Sequence, residues 1–125
     1  MSCYETAVFD FGWVGKAVGV NNRYVNRKFT LTAEYRQFVR NLSWCCYSAN
    51  FGTSIIDDVY LEITRRISRK RDSDSLLKPL FDAIQASGVI RNDRQIRGYR
   101  VEVENKRRGE LDMIAVAAYG RQFDH

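Results

Sequence analysis

The chain holds a single histidine, and it is the last of the 125 residues, His125. A Ser-His-Asp triad, a histidine-based nuclease site and a His-rich zinc site therefore all lack their central residue. As the terminal residue, His125 is expected to carry no functional weight. Cysteine is also scarce: Cys3, Cys45 and Cys46 show no CxxC spacing and outline no zinc site. Their odd number cannot fully pair, and Met1 to Phe11 has neither a basic start nor a long apolar run. Together these predict a reducing, cytoplasmic setting. Nothing approaches about 18 consecutive apolar residues, so no membrane helix is expected. P-loop and GxGxxG motifs are absent, which removes support for a nucleotide cofactor. Proline occurs once, at Pro79, and no linker, repeat or low-complexity tract interrupts the chain. One domain over residues 1–125 is expected. For catalysis, that leaves carboxylates, lysines and a borrowed metal.

The chain is rich in positive charge. A net charge of +5 and a pI of about 9.3 suit a polyanionic partner, although a merely soluble basic protein has the same balance. Arg65-Arg66-Ile67-Ser68-Arg69-Lys70-Arg71 places five cations in seven residues. Asp72-Ser73-Asp74 follows directly, then Lys78, then Asp93. Carboxylates beside a cationic run can hold a divalent cation against a phosphate backbone.

Ala7, Phe9 and Phe11 alternate with Thr6, Val8 and Asp10, which predicts a first strand over Glu5–Phe11. Gly12 to Thr30 lacks clean periodicity and contains Asn21-Asn22-Arg23-Tyr24. It reads as a long surface loop of a kind that is usually functional or disordered. Thr32 is a good N-cap, with Glu34 in the first turn where the helix dipole favours an anion. Tyr35, Phe38, Val39, Leu42, Cys45, Cys46 and Ala49 then recur at helical spacing, so the cysteines read as small core hydrophobes. Arg36 and Arg40 share the opposite face. They read equally as a solvated surface or as a pair whose mutual repulsion a phosphate would relieve.

Val59, Leu61 and Ile63 alternate with Tyr60, Glu62 and Thr64 in a second strand that enters the basic run. A helix is predicted over Ser75–Ser87, burying Leu77, Leu80, Phe81 and Ile84. Pro79 falls in its first turn, and Gly88 stops it. Tyr99, Val101 and Val103 mark a third strand, Asn105 to Gly109 a turn, and Leu111 to Tyr119 a fourth strand. The last is apolar on both faces and so is expected to lie centrally. The order β-α-β-α-β-β predicts an α+β fold: a single mixed, largely antiparallel sheet with two main helices.

Side chains at i and i+2 point the same way in an extended segment, so Asp72 and Asp74 converge if the chain there is extended. Asp93 joins them if the chain returns alongside the helix. Five extended residues after Gly88 reach about 17 Å, against a helix of about 20 Å. Three carboxylates without histidine form a hard, all-oxygen site suited to Mg²⁺, with Mn²⁺ as a substitute. Lys78, at i+4 from Asp74, would stabilise transition-state charge or grip a phosphate. The same residues also read as ordinary capping by Asp74 or Ser75, with Lys78 in a surface pair worth about 0.2–0.5 kcal/mol. Pattern alone leaves both readings open.

The ordered set Asn21-Asn22-Arg23-Tyr24, Thr32, Arg71-Asp72-Ser73-Asp74-Ser75-Leu76, Lys78, Phe81-Asp82-Ala83, Gly88-Val89-Ile90 and Asn92-Asp93-Arg94-Gln95-Ile96 resembles the RusA family of Holliday junction resolvases. The resemblance runs from about residue 19 to 118. It implies a RusA-like fold and a homodimeric, Mg²⁺-dependent endonuclease. Such an enzyme nicks two opposed strands of a four-way DNA junction during recombination and repair, leaving 5′-phosphate and 3′-hydroxyl ends. Asp72, Asp74 and Asp93 would bind the metal, and Lys78 matches the catalytic lysine. Arg69, Lys70 and Arg71, beside the acids, are the first candidates for DNA contacts, together with Arg66. Asn22, Arg23 and Lys28 on the long loop come next. Asp82 reads as structural. Tyr24 reads equally as a packed aromatic or as a stacker on an exposed base. The chain departs from the family at Ser75, where asparagine is common, and at Asn92, which replaces the first acid of an Asp-Asp pair. It also lacks the Pro-Pro-Ser lead into the Asn-Asn loop. Family genes are often carried by phages and prophages, so a viral source is a further expectation. Two other readings stand beside the resolvase: a DNA-binding protein without catalysis, and a less selective nuclease for flaps or branched DNA.

Overall fold

Period-two alternation builds the sheet and two amphipathic stripes cover one face of it. The structure, a computed structural model, describes residues 7–17, 24–25, 30–67, 76–107 and 109–120. Along the chain come β1 (Phe9–Gly15), β2 (Tyr24–Val25), β3 (Thr30–Leu31), α1 (Ala33–Ala49) and β4 (Val59–Ile67). They are followed by α2 (Leu77–Ala86), a 3-10 turn (Asp93–Gln95), β5 (Ile96–Asn105) and β6 (Asp112–Gly120). The main sheet has the order β1-β6-β4-β5. β6 is antiparallel to both β1 and β4, while β4 and β5 are parallel. A parallel pair needs a crossover, which α2 supplies. The α+β expectation of one mixed sheet with two helices holds. So does the interior place of the last strand, which lies between β1 and β4.

Phe9, Phe11 and Trp13 of β1, Leu61 and Ile63 of β4, and Ile114 and Val116 of β6 are all buried in one core. The two helices close that core. Thr32 caps α1 by accepting the Tyr35 N–H at 3.1 Å, and α1 buries Tyr35, Phe38, Leu42 and Cys46. Phe38 meets Trp13 edge-on, with ring centres 4.9 Å apart. Such a pair adds about 0.5–1.5 kcal/mol beyond area burial. At the far end of α1 the Asn50 amide donates to the carbonyls of Asp10 (2.7 Å) and Cys46 (2.9 Å). This ties the helix to the edge strand β1. Cys46 is fully buried and its thiol is pushed up to about 11 by that burial, which bears out its reading as a core hydrophobe. Cys45 is half-buried and Ala49 exposed, so the apolar stripe ends sooner than its spacing predicts.

Three boundaries differ from expectation. β1 runs on through Gly15, four residues into the stretch read as loop. Gly12 removes the side chain from the uncovered face, so only the core-facing half of the alternation is legible there. Within the same stretch, Tyr24–Val25 pairs antiparallel with Thr30–Leu31, a ladder too short to show periodicity. β5 begins at Ile96 and forms a sheet edge, which leaves Tyr99 and Val103 exposed. The second helix buries Pro79, Leu80, Ala83 and Ile84, with Leu77 and Phe81 half-buried. Gly88 then turns the chain at φ 83°, a conformation that favours glycine.

Candidate active site

Asp93 opens the 3-10 turn between α2 and β5, and its position is set by its neighbours Asn92 and Gln95. Asn92 has an extended backbone, and its side chain accepts the Arg94 N–H at 2.8 Å. Gln95 reciprocates by accepting the Asn92 N–H at 3.1 Å, which completes a capping box. The buried Gln95 amide also accepts the Arg91 N–H at 2.7 Å and donates to the carbonyls of Ile55 (2.8 Å) and Asp57 (3.0 Å). Its two donors and both acceptor positions are thus all used. Through these bonds the turn is locked to the segment that leads into β4. The Ile55 N–H also donates to the Val89 carbonyl at 2.7 Å, so the return after Gly88 is anchored there too.

On this base the Asp93 side chain is exposed, and no ion pair or hydrogen bond joins its carboxylate to another of the described residues. An unpartnered carboxylate on a fixed backbone suits a cation. Two other carboxylates are already engaged. Asp82 accepts from Lys78 Nζ at 2.9 Å. Asp112 is buried and accepts from the Ala17 N–H at 2.9 Å and from Lys106 Nζ at 3.1 Å. The loss of the acid at position 92 now has a physical account. The residue there works as an N-cap, for which asparagine and aspartate are equivalent.

Lys78 projects from the first turn of α2 and is exposed, and α2 packs against the turn that carries Asp93. The helix bearing the candidate lysine and the turn bearing the candidate ligand are therefore neighbours. Asp72, Asp74, Arg69, Lys70, Arg71, Asn22, Arg23 and Lys28 lie outside the described residues, as does Ser75. Among the described residues no group of three or more His, Cys, Asp or Glu forms a metal cluster.

Arg65 and Arg66, the two described cations of the basic run, face opposite sides of the sheet. Arg66 lies on the sheet face away from the helices and pairs with Glu110 at 3.3 Å. Arg65 is buried, only 3% exposed, on the helix-facing side of β4. A buried guanidinium just before the acidic segment was not foreseen, yet its signal was present. It occupies the core-facing register of Val59, Leu61, Ile63 and Ile67. The bracing roles of Gln95 and Asp112 were not legible for a different reason, since Ile55, Asp57 and Ala17 lie far from them in sequence. Asp112 holds the end of the β1 segment where the chain departs towards the Asn21-Asn22 loop.

Residues 15–116 match the protein family described as Endodeoxyribonuclease RusA. This α+β domain is accordingly a DNA-cleaving hydrolase by class. Within that class it belongs to the RusA family. No curated protein matches the chain. No helix among the described residues is long and apolar enough to cross a membrane.

Proposed function

We propose that the protein is a Mg²⁺-dependent, homodimeric resolvase of four-way DNA junctions, working in recombination and repair by paired symmetric nicks. The observation that carries this reading is the exposed Asp93 carboxylate, without a partner among the described residues, on a turn locked by Gln95 in a chain matching the RusA family over residues 15–116. Asp93 would hold the metal together with Asp72 and Asp74, an all-oxygen set that suits Mg²⁺ and accepts Mn²⁺. The chemistry that a metal held there would supply is activation of a water and neutralisation of charge on the leaving oxygen. Lys78 steadies the negative charge that builds on phosphorus oxygens. Arg69, Lys70 and Arg71, with Arg66, Arg23, Lys28 and Asn22, hold the DNA backbone. A junction has near two-fold symmetry, and two opposed nicks need two sites, which a symmetric dimer provides. Such an enzyme works in the bacterial cytoplasm or nucleoid, and a phage or prophage gene is a fitting source.

The test is incubation with a synthetic four-way junction, with and without Mg²⁺, with strand mapping of the cuts. Paired symmetric nicks ending in 5′-phosphate and 3′-hydroxyl, seen only with metal, are expected. Asp72→Asn is expected to abolish cleavage while junction binding survives. Binding without cleavage at any metal concentration would leave a DNA-binding protein instead. Equal cleavage of junction, flap and duplex would mark a less selective nuclease.

A further inference from the structure

The outer face of α1 carries a stripe that neither the core nor the candidate active site uses. Arg36, Arg40, Trp44 and Tyr47 follow one another at spacings of three or four residues, so they share one side of the helix, and Phe51 follows in the turn just past its end. Trp44 is 65% and Phe51 77% exposed, although large aromatic side chains normally hide most of their surface. The rings are ordered among themselves. Trp44 stacks on Tyr47 with ring centres 5.8 Å apart and planes at 28°, and Tyr47 meets Phe51 edge-on at 5.5 Å. Both arginines are exposed, and neither has a carboxylate partner among the described residues. Beside the stripe, a groove of about 590 Å³ runs between α1 and α2, with Trp44 and Tyr47 on one wall and Asp82 on the other. The Asp82 charge is offset by Lys78 at 2.9 Å. The two arginines on its α1 side therefore leave the groove net positive, and the candidate catalytic lysine sits one turn before Asp82 on α2.

Flat aromatic faces in sequence with unpaired cations match the chemistry of single-stranded nucleic acid. Bases stack on the rings while phosphates meet the guanidinium groups. From Arg36 to Tyr47 the helix rises roughly 17 Å, a span of about five stacked nucleotides at about 3.4 Å each. A protein partner would also cover the aromatics, but it would need carboxylates placed to match both arginines, whereas a nucleic-acid strand carries an anion at every step beside its stacking bases. We infer that the α1 face and the groove beside it bind a single-stranded DNA segment, guiding an unpaired strand towards Lys78. The inference rests on the nuclease reading only for the identity of that strand.

The probe is a fluorescein-labelled oligo-dT without metal, measured by anisotropy across a range of salt. Trp44→Ala is expected to weaken binding about fivefold to a hundredfold, the loss of one stacked base. Trp44→Phe is expected to restore most of it. Arg36→Ala with Arg40→Ala is expected to lower the slope of log affinity against log salt by about 1.4, because each phosphate contact on a single strand contributes about 0.7. Unchanged affinity in Trp44→Ala, or an unchanged slope in the double variant, overturns the inference. So does a wild-type dimer that Trp44→Ala converts to monomer in sedimentation with oligo-dT binding intact, since the face would then join two copies. Junction cleavage by the wild type is scored separately with Mg²⁺. A cleaving protein with an inert groove refutes only the groove, and a groove that binds in a protein that never cleaves refutes only the resolvase.

Discussion

Lys78 Nζ lies 2.9 Å from Asp82 Oδ1, one turn further along α2. Both side chains are substantially exposed, and a pair of this kind contributes only about 0.2–0.5 kcal/mol. Lys78 is thus held by a tether weak enough for an arriving phosphate to displace. Asp82→Asn is expected to change stability by less than about 0.5 kcal/mol and to leave junction cleavage within a few-fold. Lys78→Ala is expected to lower cleavage about 10²–10³-fold with junction binding retained. Thermal denaturation and a cleavage time course check both. Equal losses in the two variants would mean that the lysine works only as half of the pair.

Asp93→Asn keeps the backbone donors and the size of the side chain, and the position is exposed. Folding is expected to be unaffected, while Mg²⁺ affinity and cleavage fall together. Isothermal titration with Mg²⁺ alongside a melting curve separates the two effects. A variant that melts like the wild type and still cuts would remove Asp93 from the metal site.

Gln95 holds the turn through four hydrogen bonds to backbone groups. Gln95→Ala strips them from a buried position and is expected to destabilise the fold by about 2–4 kcal/mol, since each orphaned buried group costs about 1–3. Asn92→Ala, which removes the cap, is expected to cost about 1 kcal/mol, and Asn92→Asp almost nothing. Urea unfolding of the three variants checks the ranking.

Asp112 is 4% exposed and binds the Ala17 N–H and Lys106 Nζ. Asp112→Ala leaves both donors without their acceptor and is expected to cost about 2–3 kcal/mol. Because Ala17 leads into the Asn21-Asn22 loop, limited proteolysis is also expected to nick this variant sooner between β1 and α1.

Burial raises the Cys46 thiol to about 11 and the Cys45 thiol in the same direction, each from 9.0. A thiol whose folded pKa is raised favours the neutral form in the native state. The associated stability is full below about 9 and is lost as pH rises towards about 11. The native protein is therefore expected to react slowly with iodoacetamide at pH 8, Cys46 slower than Cys45, and both quickly in urea. Mass mapping of the alkylated peptides reads the order.

Local chemistry made much of this protein readable in advance. Thr32 followed by apolar residues at helical spacing specifies α1 within a few turns of chain. The alternations in β4 and β6 specify strands for the same reason. A hard, histidine-free set of candidate ligands follows from composition and order alone. Edges were less legible. The β1 alternation continues through a glycine that shows nothing on its open side, and β5 exposes half of its apolar residues at a sheet edge.

Only tertiary structure decided which polar groups are engaged and which are free. Gln95 is a polar residue on a short turn until folding brings the Ile55 carbonyl, 40 positions away, within 2.8 Å. Arg65 and Arg66 are adjacent in sequence, yet the pleat of β4 sends one into the interior and the other to Glu110. Sequence determines the supply of charges and the period of apolar contacts, because both act over a few residues. Long-range packing determines the desolvation and partner of each charge, and so leaves the Asp93 carboxylate open while Asp82 and Asp112 are taken.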